Sequence, residues 1–229
     1  MSGSGISHKL HVLKRMVLKN SLKMVGGVNG YLQPKSIFHI KKGYHHASTI
    51  EHHDTRLSTD EFQPSVYELA ARLAEQHQFN SIADVGCGSG YKLVHRLGKY
   101  QTIGIETEPA YSWLKQKYSD RKWLRSEDVN PSDIHADLVI CCDVIEHISN
   151  PDTMMDFLQR INFQYLILST PERDQVAGKN DYGPPQNVFH YREWNAEEFK
   201  AYAAAWFLIE AQHVFPDKSI TQALVCKRK

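Results

Sequence analysis

The stretch Ile82-Ala-Asp84-Val-Gly86-Cys-Gly88-Ser-Gly90 puts three glycines at alternate positions, just behind an apolar run that ends in an acid and a valine. Glycine adopts positive φ without strain and lets a ligand come within contact distance of the backbone. A helix that opens there offers unpaired N–H groups to an anion, here a carboxylate. A nicotinamide dinucleotide fingerprint, G-x-G-x-x-G, would need a third glycine at position 91, where this chain has Tyr91. About twenty residues beyond Gly86 comes Glu106, at the end of a second apolar run. A carboxylate at that point can accept hydrogen bonds from both hydroxyls of a ribose. Ser126-Glu127-Asp128-Val129 follows a third run. Asp128 can accept from an adenine amino group, and a neighbouring backbone N–H can donate to the ring. Taken alone, Glu106 or Asp128 could equally be a solvated acid; their order behind the glycine turn is what gives them weight.

Two further groups can do acid–base work. His147 and His190 both follow strand-like runs, and a neutral imidazole accepts a proton near pH 7. His190 is the first choice for a general base and His147 the second. The cluster His45, His46, His52 and His53 with Asp54 could bind a metal. Adjacent histidine pairs do not define one ligand face, however, so no metal site is assigned.

These residues need a scaffold that brings strand ends together. Runs at 81–85, 102–105, 122–124, 136–142 and 165–169 alternate with helical patterns, including one over 64–77 and one opening at Pro109. Such alternation predicts a parallel sheet with helices on both faces and ligands at the carboxyl ends of the strands. Two last runs, 207–215 and 220–226, flank Pro216-Asp217-Lys218-Ser219 and predict a hairpin. The expected fold is α/β: a Rossmann-like, doubly wound sheet of about seven strands, mostly parallel, with a C-terminal antiparallel hairpin. Residues 61–229 form that domain. Residues 1–60 are a basic N-terminal extension or cap, helical over 6–25 and irregular beyond.

Composition narrows the partners. Hydrophobic residues make up 41% and charged residues 23%, as in ordinary globular proteins, and the net charge is +1. No apolar run approaches the length needed to span a bilayer. The four cysteines, Cys87, Cys141, Cys142 and Cys226, form no C-x-x-C pair and suit free thiols in a reducing, cytoplasmic setting. The chain carries no acid before Glu51. That asymmetry would suit peripheral contact of helix 6–25 with the inner face of a membrane. Nucleic acid is a weaker partner, since basic and aromatic residues are not interleaved.

Read in order, Asp84-Val-Gly-Cys-Gly-Ser-Gly90, Glu106, Glu127-Asp128-Val129 and Cys142-Asp143-Val-Ile-Glu-His-Ile148 resemble the motifs of class I S-adenosylmethionine-dependent methyltransferases. The G-x-G-x-G spacing fits that family better than a dinucleotide site. The resemblance implies S-adenosylmethionine as cofactor. It assigns Asp84, Gly86, Gly88 and Gly90 to the methionine part, Glu106 to the ribose, Asp128 and Val129 to adenine, and Asp143 to the cofactor near its transferable methyl. Downstream, Ser169-Thr-Pro-Glu-Arg-Asp174, Gly183-Pro-Pro-Gln-Asn187 and His190-Tyr-Arg-Glu-Trp194 resemble small methyltransferases associated with bacterial glycosyltransferase and polysaccharide gene clusters.

The loop from Thr170 to Trp194 leaves the fifth strand on the cofactor side, so the acceptor site is expected there. Glu172, Arg173, Asp174 and Arg192 can bond to hydroxyls, and Tyr182 and Trp194 offer faces to a sugar ring. The acceptor expected is a small saccharide or saccharide-like hydroxyl compound, lipid-linked if the basic helix meets a membrane. A quinone, an amine or a nucleic acid as acceptor, and a non-catalytic cofactor-binding scaffold, remain as alternatives.

Overall fold

The structure is a computed structural model that describes residues 37–229. Helix 6–25 and its membrane contact lie outside the described residues. Among the described residues, no helix is long and apolar enough to cross a membrane.

Strands and helices alternate as the sequence pattern predicts. The elements are α1 (Pro64–His77), β1 (Ser81–Val85), α2 (Tyr91–His95), β2 (Gln101–Glu106), α3 (Ala110–Lys117), β3 (Lys122–Arg125) and β4 (His135–Cys142). They continue with α4 (Pro151–Arg160), β5 (Asn162–Pro171), α5 (Arg173–Val176), α6 (Ala196–Ala204), β6 (Leu208–Phe215) and β7 (Thr221–Lys227). Local chemistry sets several boundaries. Pro64 opens α1, where its missing N–H costs no hydrogen bond. The Asn150 side chain caps α4 by accepting from Asp152 N. Asn195 and Glu198 close a reciprocal capping box on α6.

The seven strands form one sheet in the order β3-β2-β1-β4-β5-β7-β6. Strands β1 to β5 pair in parallel. β7 runs antiparallel to both β5 and β6. The fold is therefore the Rossmann-like α/β sheet with one antiparallel hairpin. Within that hairpin it is the last strand that lies inside, between β5 and β6, while β6 takes the edge.

Alternation along β4 serves two cores. Leu138, Ile140 and Cys142 pack with Val66 and Leu69 of α1, Leu93 of α2 and Leu114 of α3. Val139 and Cys141 face the other way, toward Met155 and Leu158 of α4 and Phe199 and Tyr202 of α6. All four cysteines are free and buried. The order of strands reverses between β1 and β4, and it is at such a point that an open sheet leaves a crevice.

Candidate cofactor and acceptor site

A cavity of about 770 Å³ occupies that crevice, a size suited to a small-molecule site. Its floor is the turn after β1. Gly86, Gly88 and Gly90 all have positive φ. A Cβ at Gly86 would lie 2.4 Å from Val144 Cγ2, so no side chain fits where the turn meets the segment after β4. Gly88 N donates to Glu106 Oε2 at 2.7 Å, and Thr107 N donates to Glu106 Oε1 at 2.8 Å. Those two bonds aim the Glu106 carboxylate, at the end of β2, along the cavity wall.

Asp84, one residue inside β1, is wholly buried. Its Oδ2 accepts from Tyr67 OH at 2.8 Å, and its Oδ1 has no partner among the described residues. Burial pushes this carboxyl up to about 7. Asp143 follows β4 in a left-handed conformation, φ 50. Its carboxylate accepts from Ser169 Oγ at 2.6 Å and from Gln63 Nε2 at 2.9 Å. Burial also raises the Asp143 and Glu106 carboxyls, and these hydrogen bonds only partly offset it. Glu106 and Asp143 line the cavity and Asp84 lies buried behind it; a cationic ligand would relieve the burial cost of such carboxylates. An unpartnered Asp84 oxygen behind a turn with no room for side chains fits the charged, compact methionine end of S-adenosylmethionine.

The opposite wall carries the histidines. The 3₁₀ turn Ile145–His147 places Glu146 and His147 beside His190. The rings of His147 and His190 meet edge to face at 4.7 Å. His147 Nδ1 lies 2.7 Å from Phe189 O, and His190 Nδ1 lies 2.7 Å from Glu193 Oε1. A carbonyl can only accept, so His147 Nδ1 bears the proton and its Nε2 keeps a lone pair. On His190, Nδ1 faces a carboxylate and Nε2 meets the Asn187 amide at 3.0 Å, which gives the same tautomer. Burial, then the neighbouring His190, lowers His147 to about 4, so it is neutral at pH 7.

Of the expected site residues, Gly86, Gly88, Glu106, Asp143, His147 and His190 all line this one cavity. Gly90 packs instead on Leu114 and Trp123. After β3, Ser126 reaches the cavity wall. Asp128 is exposed and turns toward Arg125 Nη1 at 3.6 Å, and Val129 packs on the core.

Much of the loop expected to bind the acceptor is framework. Arg173 is fully buried and pairs with Glu198 at 2.7 Å and Asp174 at 3.2 Å. Arg192 donates to Ile148 O and Ser149 O, both at 2.6 Å. Glu172 accepts from Gln175 N and Ala196 N. Trp194 has no exposed surface, stacks on Tyr202 and donates to Phe38 O. Tyr182 is half exposed beneath Lys41 Nζ. None of these five, nor Asp174, lines the cavity; the contacts described for them are within the fold.

The cavity is completed by Asn187, Phe189 and His190, and by residues from 50–63, including His53, Phe62 and Gln63. The His-rich segment divides. His53 stacks on Phe189 at 4.7 Å, His46 sits beside Arg192, and Asp54 is paired with Arg56. Gln63 and Glu146 were not singled out in the sequence. Glu146 stands within the motif after β4, but its burial depends on Thr170 and Tyr191, which approach from elsewhere in the chain.

Comparison with known proteins identifies the family and the fold. A family model described as a methyltransferase domain matches residues 59–224. The chain belongs to that family. This methyltransferase is a class I enzyme that takes S-adenosylmethionine as cofactor. No curated protein matches it. Among solved structures, a protein from Pyrococcus horikoshii OT3 superposes with a TM-score of 0.58 at 15% identity, over 77% of this chain and 95% of the other. Magnesium protoporphyrin IX methyltransferase from Synechocystis PCC 6803, solved with bound SAH, gives 0.55 at 16% identity, over 72% and 83%. An S-adenosylmethionine-dependent methyltransferase from Clostridium acetobutylicum ATCC 824 gives 0.53 at 13% identity, over 76% and 94%. At these identities the likeness is one of fold.

Proposed function

We propose that this methyltransferase methylates a hydroxyl group of a small saccharide or similar polyhydroxyl compound. The observation that carries the reading is that His147 and His190 both line one cavity, with their Nδ1 atoms tied back to Phe189 O and Glu193 Oε1. Bound S-adenosylmethionine supplies an electrophilic methyl group. An amine acceptor needs little further help, whereas a hydroxyl gains about 10²–10⁴-fold from a placed proton acceptor.

In the metal-free protein that acceptor is His190. Its Nε2 takes the hydroxyl proton as the Asn187 amide gives way, and the Glu193 carboxylate at Nδ1 stabilises the imidazolium that results. The aromatic faces of Phe62 and Phe189, among hydroxyl and amide groups from Ser58, Thr59, Gln63 and Asn187, suit a ring rimmed with hydroxyls. The cofactor residues under this reading are Asp84, Gly86, Gly88, Glu106 and Asp143, with Ser126 at the adenine end.

The test is turnover on a panel of glycosides, polyols, phenols and amines, read as released S-adenosylhomocysteine with mass spectrometry of the product. O-methylated saccharides are expected. His190→Ala should hold cofactor affinity within about threefold and lower kcat by about a hundredfold or more. Methylation of amines alone, or an undiminished kcat in the variant, would overturn the proposal.

A further inference from the structure

We propose that Glu146, His147 and His190 form a binding site for one divalent transition-metal cation, of the Zn²⁺, Mn²⁺ or Co²⁺ class, on the acceptor side of the cavity. One ligand atom from each lies within 4.8 Å of the others, and among the described residues this is the one such group of three or more.

Three features distinguish it from a chance cluster. First, Glu146 has no exposed surface, and its Oε1 has no hydrogen-bond partner among the described residues. That oxygen lies 4.0 Å from His147 Nε2. Its other oxygen accepts from Thr170 Oγ1 at 3.0 Å, which fixes the carboxylate's direction. Burying a carboxylate oxygen without a partner is costly, and a cation in front of it removes that cost.

Second, both imidazoles are prepared as metal ligands usually are. Each has Nδ1 bonded to a backbone carbonyl or a carboxylate, which fixes the tautomer and orients the ring. His147 Nε2 lies 4.0 Å from Glu146 Oε1, and His190 Nε2 is held by the Asn187 amide at 3.0 Å. Third, the donor set itself is selective. Two imidazoles and one carboxylate leave open positions on the metal and suit transition cations rather than Mg²⁺, which prefers oxygen.

A metal bonded at about 2.0–2.2 Å to each ligand would bring them to about 3–3.5 Å from one another. The three side chains therefore close inward by about an ångström, and Asn187 releases His190 Nε2. The open positions face the cavity, where the acceptor hydroxyl would be a ligand. This deepens the hydroxyl-methylation reading and rests on it for that role alone. With the cation bound, the hydroxyl oxygen coordinated to it gives its proton to water, and His190 acts as a ligand rather than as the base.

The test uses the full chain, stripped by chelation and then titrated with Co²⁺, which reports coordination by visible absorption. One saturable Co²⁺ per chain is expected, with Mg²⁺ failing to compete at equal concentration. Glu146→Gln and His147→Ala should each weaken Co²⁺ by at least about tenfold, and His45→Ala should leave it unchanged. Circular dichroism identifies any variant that fails to fold. His147→Ala, at a partly exposed position, serves if Glu146→Gln does not fold.

No saturable binding, binding that survives both substitutions, or binding lost with His45→Ala would overturn the site. Saturable Co²⁺ binding by a protein that methylates only amines upholds the site and overturns the hydroxyl reading. Full hydroxyl methylation by chelated protein that binds no Co²⁺ does the reverse.

Discussion

Asp84→Asn is expected to stabilise the ligand-free protein at pH 8 but not at pH 5. Asp84 is wholly buried, and only its Oδ2 is satisfied, by Tyr67 OH. Burial moves its carboxyl from the ordinary 3.8 to about 7. The folded value lies above the unfolded one, so between these limits the folded chain keeps a proton that the unfolded chain has released. Stability is therefore lost as pH rises through that window, and the whole penalty is in place at pH 8. Just over three pH units, at about 1.36 kcal/mol each, make that penalty about 4 kcal/mol. Asparagine carries no charge and keeps an oxygen for Tyr67, but its amide replaces the unpartnered oxygen with an unpartnered donor. That costs about 1–3 kcal/mol. The balance is a gain of about 1–3 kcal/mol at pH 8. At pH 5 the charge penalty is only about 1.5 kcal/mol, which leaves the variant equal to wild type or less stable. Urea unfolding at both pH values, without cofactor, measures the difference. An identical effect at both would refute the desolvated-carboxyl argument, and so would destabilisation at pH 8.

Glu106→Ala should weaken S-adenosylmethionine by more than about tenfold, since a charged acceptor contributes about 1.5–3 kcal/mol; calorimetric titration showing wild-type affinity would remove Glu106 from the ribose. Arg173→Ala should cost about 3–5 kcal/mol by leaving the largely buried Glu198 unpaired, while kcat/KM per folded molecule stays as in wild type. A variant of wild-type stability with impaired turnover would return Arg173 to the acceptor site.

What the sequence discloses and what it withholds follow from range. The turn after β1 is local: three glycines, an acid and an apolar run specify it without help from elsewhere, and Glu106 and Asp143 come at strand ends that periodicity locates. The helix over 64–77 is legible because a proline and an apolar stripe frame it. Arg173, Arg192 and Trp194 misled because, in a polar loop rich in proline and glycine, they look like surface groups. Their partners, Glu198, Ile148 and Phe38, are remote in the chain, and nothing nearby announces that they are buried. Glu146 escaped for the same reason. The hairpin pattern predicted two paired strands; the one signal for which joins the parallel sheet is the continuous apolar run Ala223–Cys226 of β7, against the polar-interrupted, more exposed β6.

That choice bears on how the protein is made. β7 is the last strand in chain order, yet it fills the slot between β5 and β6, with Leu224 opposite Leu168 on one side and Gln212 on the other. While a ribosome is still adding these residues, β5 presents an unpaired apolar edge and β6 has no neighbour to join. Such an edge is a template for pairing with another chain. The nascent protein thus stays open to aggregation until β7 has been made and has paired. Slowing translation just before residue 221 should lengthen that exposure, whereas a pause after residue 227 has emerged should not.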